Sequence, residues 1–397
     1  MRPCRVLLVI SNLEYGGAQR QVIELANNAH ADNFDIHVCS LSDYIPLADD
    51  LYDRERRLHV INKHWKFDVT VIPRLARLLR DLDAQVVHGF LFDAEIATRV
   101  AGRMARTPLV VGSERNTNYT LKRRQLIVYR LTRQWVDLVV ANSHSGATFN
   151  QQTLGHAPST YRVVHNGVNI DKFRPQDGRA VRRALGIKDT ECIIGMFASF
   201  KQQKNHALFF AAVTRVLQRF PETRLLLVGD ELYAGMHGSD EYKRQTQTLI
   251  DRLGLRHRCL FMGNQTDVAS LYPVCDVTVL PSFFEGTPNT VLESLACGVP
   301  VVATDVSDNA YLIPEGRVGF TIPLGDEAAL AERISRLLGD NKLRHAMGRE
   351  ARTWVIQEFS TPRLAAKTEE VYWEGLSHAR VKGTQPHKRR ESVRCVH

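Results

Sequence analysis

The sequence has no CxxC pair, no apolar run approaching a membrane span and no D-x-D string beyond a strand end. Its seven cysteines, at 4, 39, 192, 259, 275, 297 and 395 of 397 residues, are odd in number and scattered. That pattern suggests neither a disulfide framework nor a zinc site and predicts a reducing compartment. The apolar run Val6–Ile10 leads into Ser11-Asn12 without an A-x-A-like cleavage site, and no run nears the ~20 residues of a spanning helix. A cytoplasmic protein is therefore expected, at most peripheral on the inner face of the cytoplasmic membrane. The formal charge of +9 asks for an anionic partner. Yet the Lys and Arg residues are dispersed, and no helix-turn-helix, zinc-finger or aromatic RNA-binding signature appears. An anionic membrane surface or a phosphate-bearing acceptor fits better than nucleic acid.

What is present is a soluble globular composition, 44% hydrophobic and 24% charged, in a chain long enough for two cores, since single cores stop growing at about 250–300 residues. Short apolar runs recur at Arg5–Ile10, Phe34–Cys39, His59–Ile61, Ala84–His88, Pro108–Val111 and Leu138–Ala141, with helical stretches such as Val71–Leu82 and Ala94–Ala105 between them. The pattern restarts with Cys192–Ala198, the helical Leu208–Arg219, Leu225–Gly229, Leu260–Gly263 and Val274–Leu280. Strands alternating with helices predict doubly wound parallel sheets, in which ligands bind at the carboxyl ends of the strands.

One stretch concentrates the chemistry. Between the apolar runs Val277–Leu280 and Val299–Ala303 lies a loop that opens into a helix. Thr287 and Pro288 read as its start, the hydroxyl capping and the proline at the first helical position. The free amides of Asn289, Thr290 and Val291 then face an anion, the setting that suits a phosphate. Glu285 and Glu293 flank this nest. Carboxylates repel phosphate and accept from hydroxyls, so phosphate plus hydroxyls points to a nucleotide sugar.

The string Glu285-Gly286-x-Pro288-x-x-x-Leu292-Glu293-x-x-Ala296-x-Gly298-x-Pro300-Val301-Val302 resembles the E-x7-E signature of the retaining, GT-B-fold glycosyltransferases of family 4. The resemblance implies two Rossmann-like domains facing a cleft, with Glu285 on the donor sugar, Glu293 on the ribose hydroxyls and the helix start on the diphosphate. The turn Glu14-Tyr15-Gly16-Gly17, read from the residues as a corner or a close backbone approach, is similar to the family's loop that faces donor phosphates and acceptor. Lys204-Asn205 matches a cationic donor motif. The family's Arg shortly after the preceding strand has Ala198 or Ser199 near its place, leaving Lys201 as a point charge. The loop from Gly263 to Asp267 resembles the one that reads the base. The Asn166-Gly167 turn marks the crossing between domains. The division implied is an acceptor-side domain over 1–170 with a helix over 362–376 crossing back onto it, a nucleotide-sugar domain over 171–361, and a basic, flexible tail over 377–397.

On the acceptor side the family commonly places a His where this sequence has Phe90. Asp93 is then the first candidate base or acceptor-hydroxyl orienter, with an N-cap at Ala94 as its alternative role, and His88 is the second. Glu114, Arg115 and Asn116 stand at the next strand end and are expected to line the acceptor. Lys122-Arg123-Arg124, followed by Leu126, Ile127, Tyr129, Leu131 and Trp135, reads either as a basic-flanked amphipathic helix for an anionic surface or as core.

The reading is a metal-free transferase without cofactor, moving a sugar from a nucleoside diphosphate to a glycan or lipid-linked acceptor. Asp81-Leu82-Asp83, the one D-x-D string, follows a helical stretch and is not a diphosphate clamp. A glycosidase using both Glu residues leaves the Pro-started helix unexplained. A nucleotide-sugar epimerase and a non-catalytic nucleotide-sugar or glycolipid binder stay open as alternatives.

Overall fold

The computed structural model describes residues 3–65, 68–115, 121–232 and 238–384. The apolar runs form two sheets in which every strand pair is parallel. The first holds β1 (Cys4–Ile10), β2 (Phe34–Ser40), β3 (Leu58–Val60), β4 (Val86–Phe90), β5 (Leu109–Glu114), β6 (Leu138–Ala141) and β7 (Tyr161–Val163), in the order β3-β2-β1-β4-β5-β6-β7. The second holds β8 (Cys192–Phe197), β9 (Thr223–Val228), β10 (Cys259–Gly263), β11 (Val277–Leu280), β12 (Val301–Thr304) and β13 (Gly319–Ile322), ordered β10-β9-β8-β11-β12-β13. Both sheets reverse direction at an inner pair, β1/β4 and β8/β11, and the crevice of a doubly wound sheet opens at such a point.

Strand β1 shows why helices cover both faces. Its side chains alternate, so Val6, Leu8 and Ile10 enter one apolar layer and Leu7 and Val9 the other. β7 and β13 are absent from the apolar runs read above: one is three residues with an arginine at its centre, the other four with a glycine and a threonine, and each offers too little pattern.

The chain passes twice between the sheets, and the two passages are tied together. Val168 N donates to Phe359 O at 2.7 Å and Thr361 N donates to Val168 O at 3.1 Å. A Cβ on Gly167 would lie 2.9 Å from Leu364 Cβ, so only glycine allows the passages to lie this close. The final helix, Thr361–Thr384, then adds Leu364, Ala365, Val371, Tyr372 and Leu376 to the core of the first sheet. It extends past Leu376, so 377–384 are helical rather than tail, and 385–397 lie outside the described residues.

Tyr372, fully buried, bonds His88 Nδ1 through its hydroxyl at 2.8 Å. Tyr372→Ala is expected to cost about 3–5 kcal/mol, as for a large buried aromatic truncated to alanine. The loss should fall on the unfolding of the N-terminal sheet although the residue lies near the C-terminus, which calorimetry with a tryptophan or isotope label in each domain would show.

Candidate active site

Because β8 and β11 are neighbours at the reversal point, the loops leaving their carboxyl ends must meet. Phe283 N donates to Gln203 O and Gln203 Nε2 to Phe284 O, at 2.8 and 2.6 Å. This stitching brings Lys204 Nζ to 2.5 Å from Glu285 Oε1, with both side chains mostly shielded. Lys201 stands beside them, its pKa lowered by burial and then by the Lys204 charge. Asn205 takes no part: at φ 52° it caps the next helix, its side chain accepting from Leu208 N.

The helix start differs from the sequence reading in three ways. The helix runs Asn289–Ala296 and Pro288 is its N-cap, not its first residue. Thr287 does not cap; its hydroxyl donates to the carbonyl of Asn142 across the cleft. Val291 N is used, donating to Pro288 O at 3.2 Å, so only the amides of Asn289 and Thr290 lack acceptors within the helix. The proline ring lacks an N–H, and its ψ of 118° belongs to a cap rather than a helical residue, which moves the start one residue on.

Residues of the first sheet reach this helix directly. Asn289 Nδ2 donates to Gly17 O at 3.3 Å, and its Oδ1 accepts from Asn166 Nδ2 at 2.6 Å and Gln21 Nε2 at 3.4 Å. Asn166 also donates to Thr287 O at 2.8 Å. Gly16 is the N-cap of the Gly17–Asn28 helix, and a Cβ there would lie 2.3 Å from Gln19 Oε1. Gly286 is held to glycine by the facing domain, since its Cβ would lie 2.4 Å from Asn142 Oδ1. Glu293, buried, is claimed on both oxygens: Arg20 Nη1 of the first domain donates to Oε1 at 2.8 Å and the Tyr272 hydroxyl to Oε2 at 2.7 Å. The Glu293 charge raises the Arg20 pKa, while burial and then Glu293 push the Tyr272 phenol well above its ordinary value. Arg20, Gln21, Asn142 and Tyr272 escaped the sequence reading, and Asn166 entered it only as the turn between domains. Arg20 and Gln21 lie in the first turns of the helix that the Gly-Gly turn opens, which is the one signal that could have found them.

The acceptor-side candidates scatter. His88 is enclosed and bonded to Tyr372, its ring tilted against that of Phe90 with centroids 4.2 Å apart, with its pKa brought down to about 3 by burial and then by the Arg115 charge. A histidine so held stays neutral and is closed off from a substrate proton. Asp93 is neither cap nor free base. Its helix, Phe92–Ala105, is capped by Leu91, and Asp93 Oδ2 pairs with Lys63 Nζ at 2.9 Å. Leu91 takes φ 67° and ψ 157°, a region otherwise kept for glycine, so this strand end carries real strain. Glu114 points into the domain, accepting from the Tyr161 hydroxyl at 2.9 Å, and burial raises its pKa well above the carboxylate range. It does not line an acceptor. Arg115 does reach the cleft, with Nη2 donating to Asn166 Oδ1 at 2.6 Å. Asn116 lies outside the described residues. Asp81 and Asp83 precede β4 at its amino end, away from the cleft.

A second contact crosses between the domains. Asp308, after β12, accepts from His144 N (2.7 Å), Ser145 N (3.1 Å) and Ser145 Oγ (3.0 Å) at the start of the His144–Leu154 helix, and lies 2.9 Å from His165 Nε2. Among the described residues His144, His165 and Asp308 are the group whose ligand atoms lie close enough for a metal, within 4.8 Å of one another. Both Asp308 oxygens are already engaged by these donors.

Residues 177–354 match the family Glycosyl transferases group 1, and residues 15–172 match Glycosyltransferase Family 4. Over 377 residues the chain is 26% identical to a UDP-Gal:alpha-D-GlcNAc-diphosphoundecaprenol alpha-1,3-galactosyltransferase of Escherichia coli, covering 90% of this chain and 93% of the relative. Among solved structures, Anabaena HepE in complex with UDP superposes with a TM-score of 0.81 at 21% identity, over 93% of this chain and 100% of that one. WaaG, a glycosyltransferase involved in lipopolysaccharide biosynthesis, gives 0.70 at 18% identity, over 91% and 99%. At these identities the structural likeness establishes the fold.

Burial opposes the Asp308 charge, but the donors at His165, His144 N and Ser145 N prevail and hold its pKa at about 2 against an ordinary 3.8. A depressed carboxylate contributes stability that is complete above its unfolded value and lost as pH falls toward the folded one. The contribution is about 2 kcal/mol. Urea unfolding of Asp308→Asn at neutral pH should show that loss. Between pH ~5 and ~2 its stability should fall less steeply than wild type; parallel curves would place the effect elsewhere.

Proposed function

The chain belongs to the glycosyltransferases of group 1 and family 4, and from that premise we propose a retaining enzyme that moves a sugar from a nucleoside diphosphate to an acceptor hydroxyl in the cleft between its sheets. The observation that carries this reading is the meeting of Lys204, Glu285 and the two free helix amides at the carboxyl ends of β8 and β11, opposite Gly17. When the donor binds, its diphosphate takes Lys204 and the amides of Asn289 and Thr290. Glu285, released, accepts from the sugar hydroxyls. Glu293 keeps unused lone pairs for the ribose, since an ionised carboxylate offers about four.

As the bond from the anomeric carbon to the leaving oxygen breaks, negative charge grows on the diphosphate. Lys204, once drawn from Glu285 by the bound diphosphate, stabilises it together with the fixed amide dipoles of Asn289 and Thr290, and Lys201 adds a further positive charge nearby. The acceptor hydroxyl adds to the anomeric carbon on the face the diphosphate leaves and passes its proton to the departing diphosphate oxygen, so the configuration is kept. No residue in the reading requires a metal. A UDP-sugar donor and a lipid-linked diphosphate acceptor are supported by what the E. coli relative is named for and by the UDP bound to HepE.

The first domain also has a surface that suits such an acceptor. Ile127, Leu131 and Trp135 follow at four-residue spacing and are 57%, 68% and 36% exposed. Exposed Lys122, Arg123, Arg124, Arg130 and Arg133 surround them. An apolar stripe with basic flanks lies flat on anionic lipid. No helix among the described residues is long and apolar enough to cross a membrane.

Incubation with a panel of nucleotide sugars and a lipid-diphosphate-linked glycan should release nucleoside diphosphate from at least one donor and form a product whose anomeric configuration, read by NMR, matches the donor's. No release from any donor would refute the transferase assignment. Lys204→Ala should lower kcat by roughly 10²–10³-fold, the scale for removing one preorganised charge stabiliser, and a chelator should leave the wild-type rate within about twofold. In vesicle sedimentation, Ile127→Ser with Leu131→Ser should weaken binding to anionic lipid roughly tenfold, and salt should weaken the wild type.

A further inference from the structure

Several buried and half-buried cations in this molecule are paired with carboxylates. Arg99 has Glu95 at 2.6 Å, Arg20 has Glu293 at 2.8 Å and Lys204 has Glu285 at 2.5 Å. Arg115 is the contrast. Its guanidinium lies over the Phe90 ring, Cζ 5.8 Å from the centroid, and among the described residues its side-chain partner is the neutral amide oxygen of Asn166. Nε is buried and bonds none of the described residues. Burial alone brings the Arg115 pKa down to about 10, with no carboxylate near enough to oppose it. The adjoining residues 116–120, Asn-Thr-Asn-Tyr-Thr, supply no acid either. His88, whose pKa the Arg115 charge helps to lower, brings it no negative charge. A guanidinium shielded from water with no counterion is unfavourable, and a planar fork of donors is the geometry that matches a phosphate.

Its position says where that anion sits. The Arg115 carbonyl accepts from Asn142 Nδ2 at 3.0 Å and lies 2.9 Å from where a Cβ on Gly286 would be. Through Asn166 the guanidinium is one hydrogen bond from Thr287 O and the Asn289 side chain. It thus faces the donor loop and the free amides from the opposite domain. Phe90 and Asn166 fix its plane and leave the fork uncompensated.

We propose that Arg115 is an anion-recognition residue of the cleft that binds a phosphate group of a substrate, carried by the nucleotide or by the acceptor. This rests on the transferase reading only for which substrate brings the phosphate; the site itself is read with inorganic pyrophosphate.

The test is a calorimetric titration of the full-length protein and its Arg115→Gln and Arg115→Lys variants with pyrophosphate and, separately, with UDP. Pyrophosphate affinity should fall at least tenfold in Arg115→Gln and at least threefold in Arg115→Lys, which keeps the charge and loses the fork. A matching fall in UDP affinity assigns the phosphate to the nucleotide. UDP affinity within twofold of wild type, with at least a tenfold collapse in the preference for a diphosphate-linked over an unphosphorylated acceptor, assigns it to the acceptor. Pyrophosphate affinity within twofold of wild type in a folded Arg115→Gln overturns the proposal and leaves Arg115 a structural cation. If that variant does not fold, unchanged affinity in Arg115→Lys does the same. Failure of every donor to react would sink the transferase reading and leave the pyrophosphate result standing.

Discussion

The structure turns on the hold that the first domain keeps on the start of the Asn289–Ala296 helix. Asn289 is engaged by Gly17, Gln21 and Asn166, Thr287 by Asn142, and Glu293 by Arg20. Each neutral bond contributes about 0.5–1.5 kcal/mol net, so several together fix one closed arrangement of the domains. The same bonds leave two amides at the helix start without an acceptor among the described residues. A half-site built on the second sheet is therefore completed only when the first sheet is brought against it.

That closed arrangement is held in part by groups a donor would compete for. Lys204 holds Glu285 and Arg20 holds Glu293, opposite charges neutralising each other in a shielded place. A diphosphate carries more charge than a carboxylate and can take the Lys204 ammonium, freeing Glu285 to accept from hydroxyls. A ligand shifts such an equilibrium only by its differential interaction with the two states, and here the difference lies in exchanged ionic partners. Asp308, inserted at the start of a helix of the first domain, lies outside this exchange and keeps a second anchor between the domains.

The donor half was legible in the sequence because its parts are local. Lys204, Glu285 and Glu293 sit within a few residues of strand ends that the apolar runs mark, and short-range turn chemistry gave the helix start to within one residue. The acceptor half was not. His88 and Asp93 stood at the right strand end, but the side chain of His88 turns inward to Tyr372, 284 positions away in sequence, and Asp93 turns to Lys63. Glu114 and Arg115 are adjacent and go opposite ways, one into the domain and one into the cleft, because successive residues of a strand face opposite sides. Charge and proximity to a strand end cannot tell which side is which.

By itself the sequence determined two doubly wound parallel sheets and the loop that presents two carboxylates and a helix start. Strand and helix periodicity, glycine at the turns and a proline at a helix cap are properties of neighbouring residues. Tertiary structure alone decided what those groups are paired with. Arg20 on Glu293, Asn166 on Asn289 and Arg115 on Asn166 are facts about residues 51 to 273 positions apart. Such pairings are set by how two domains close on each other, and no local pattern encodes them.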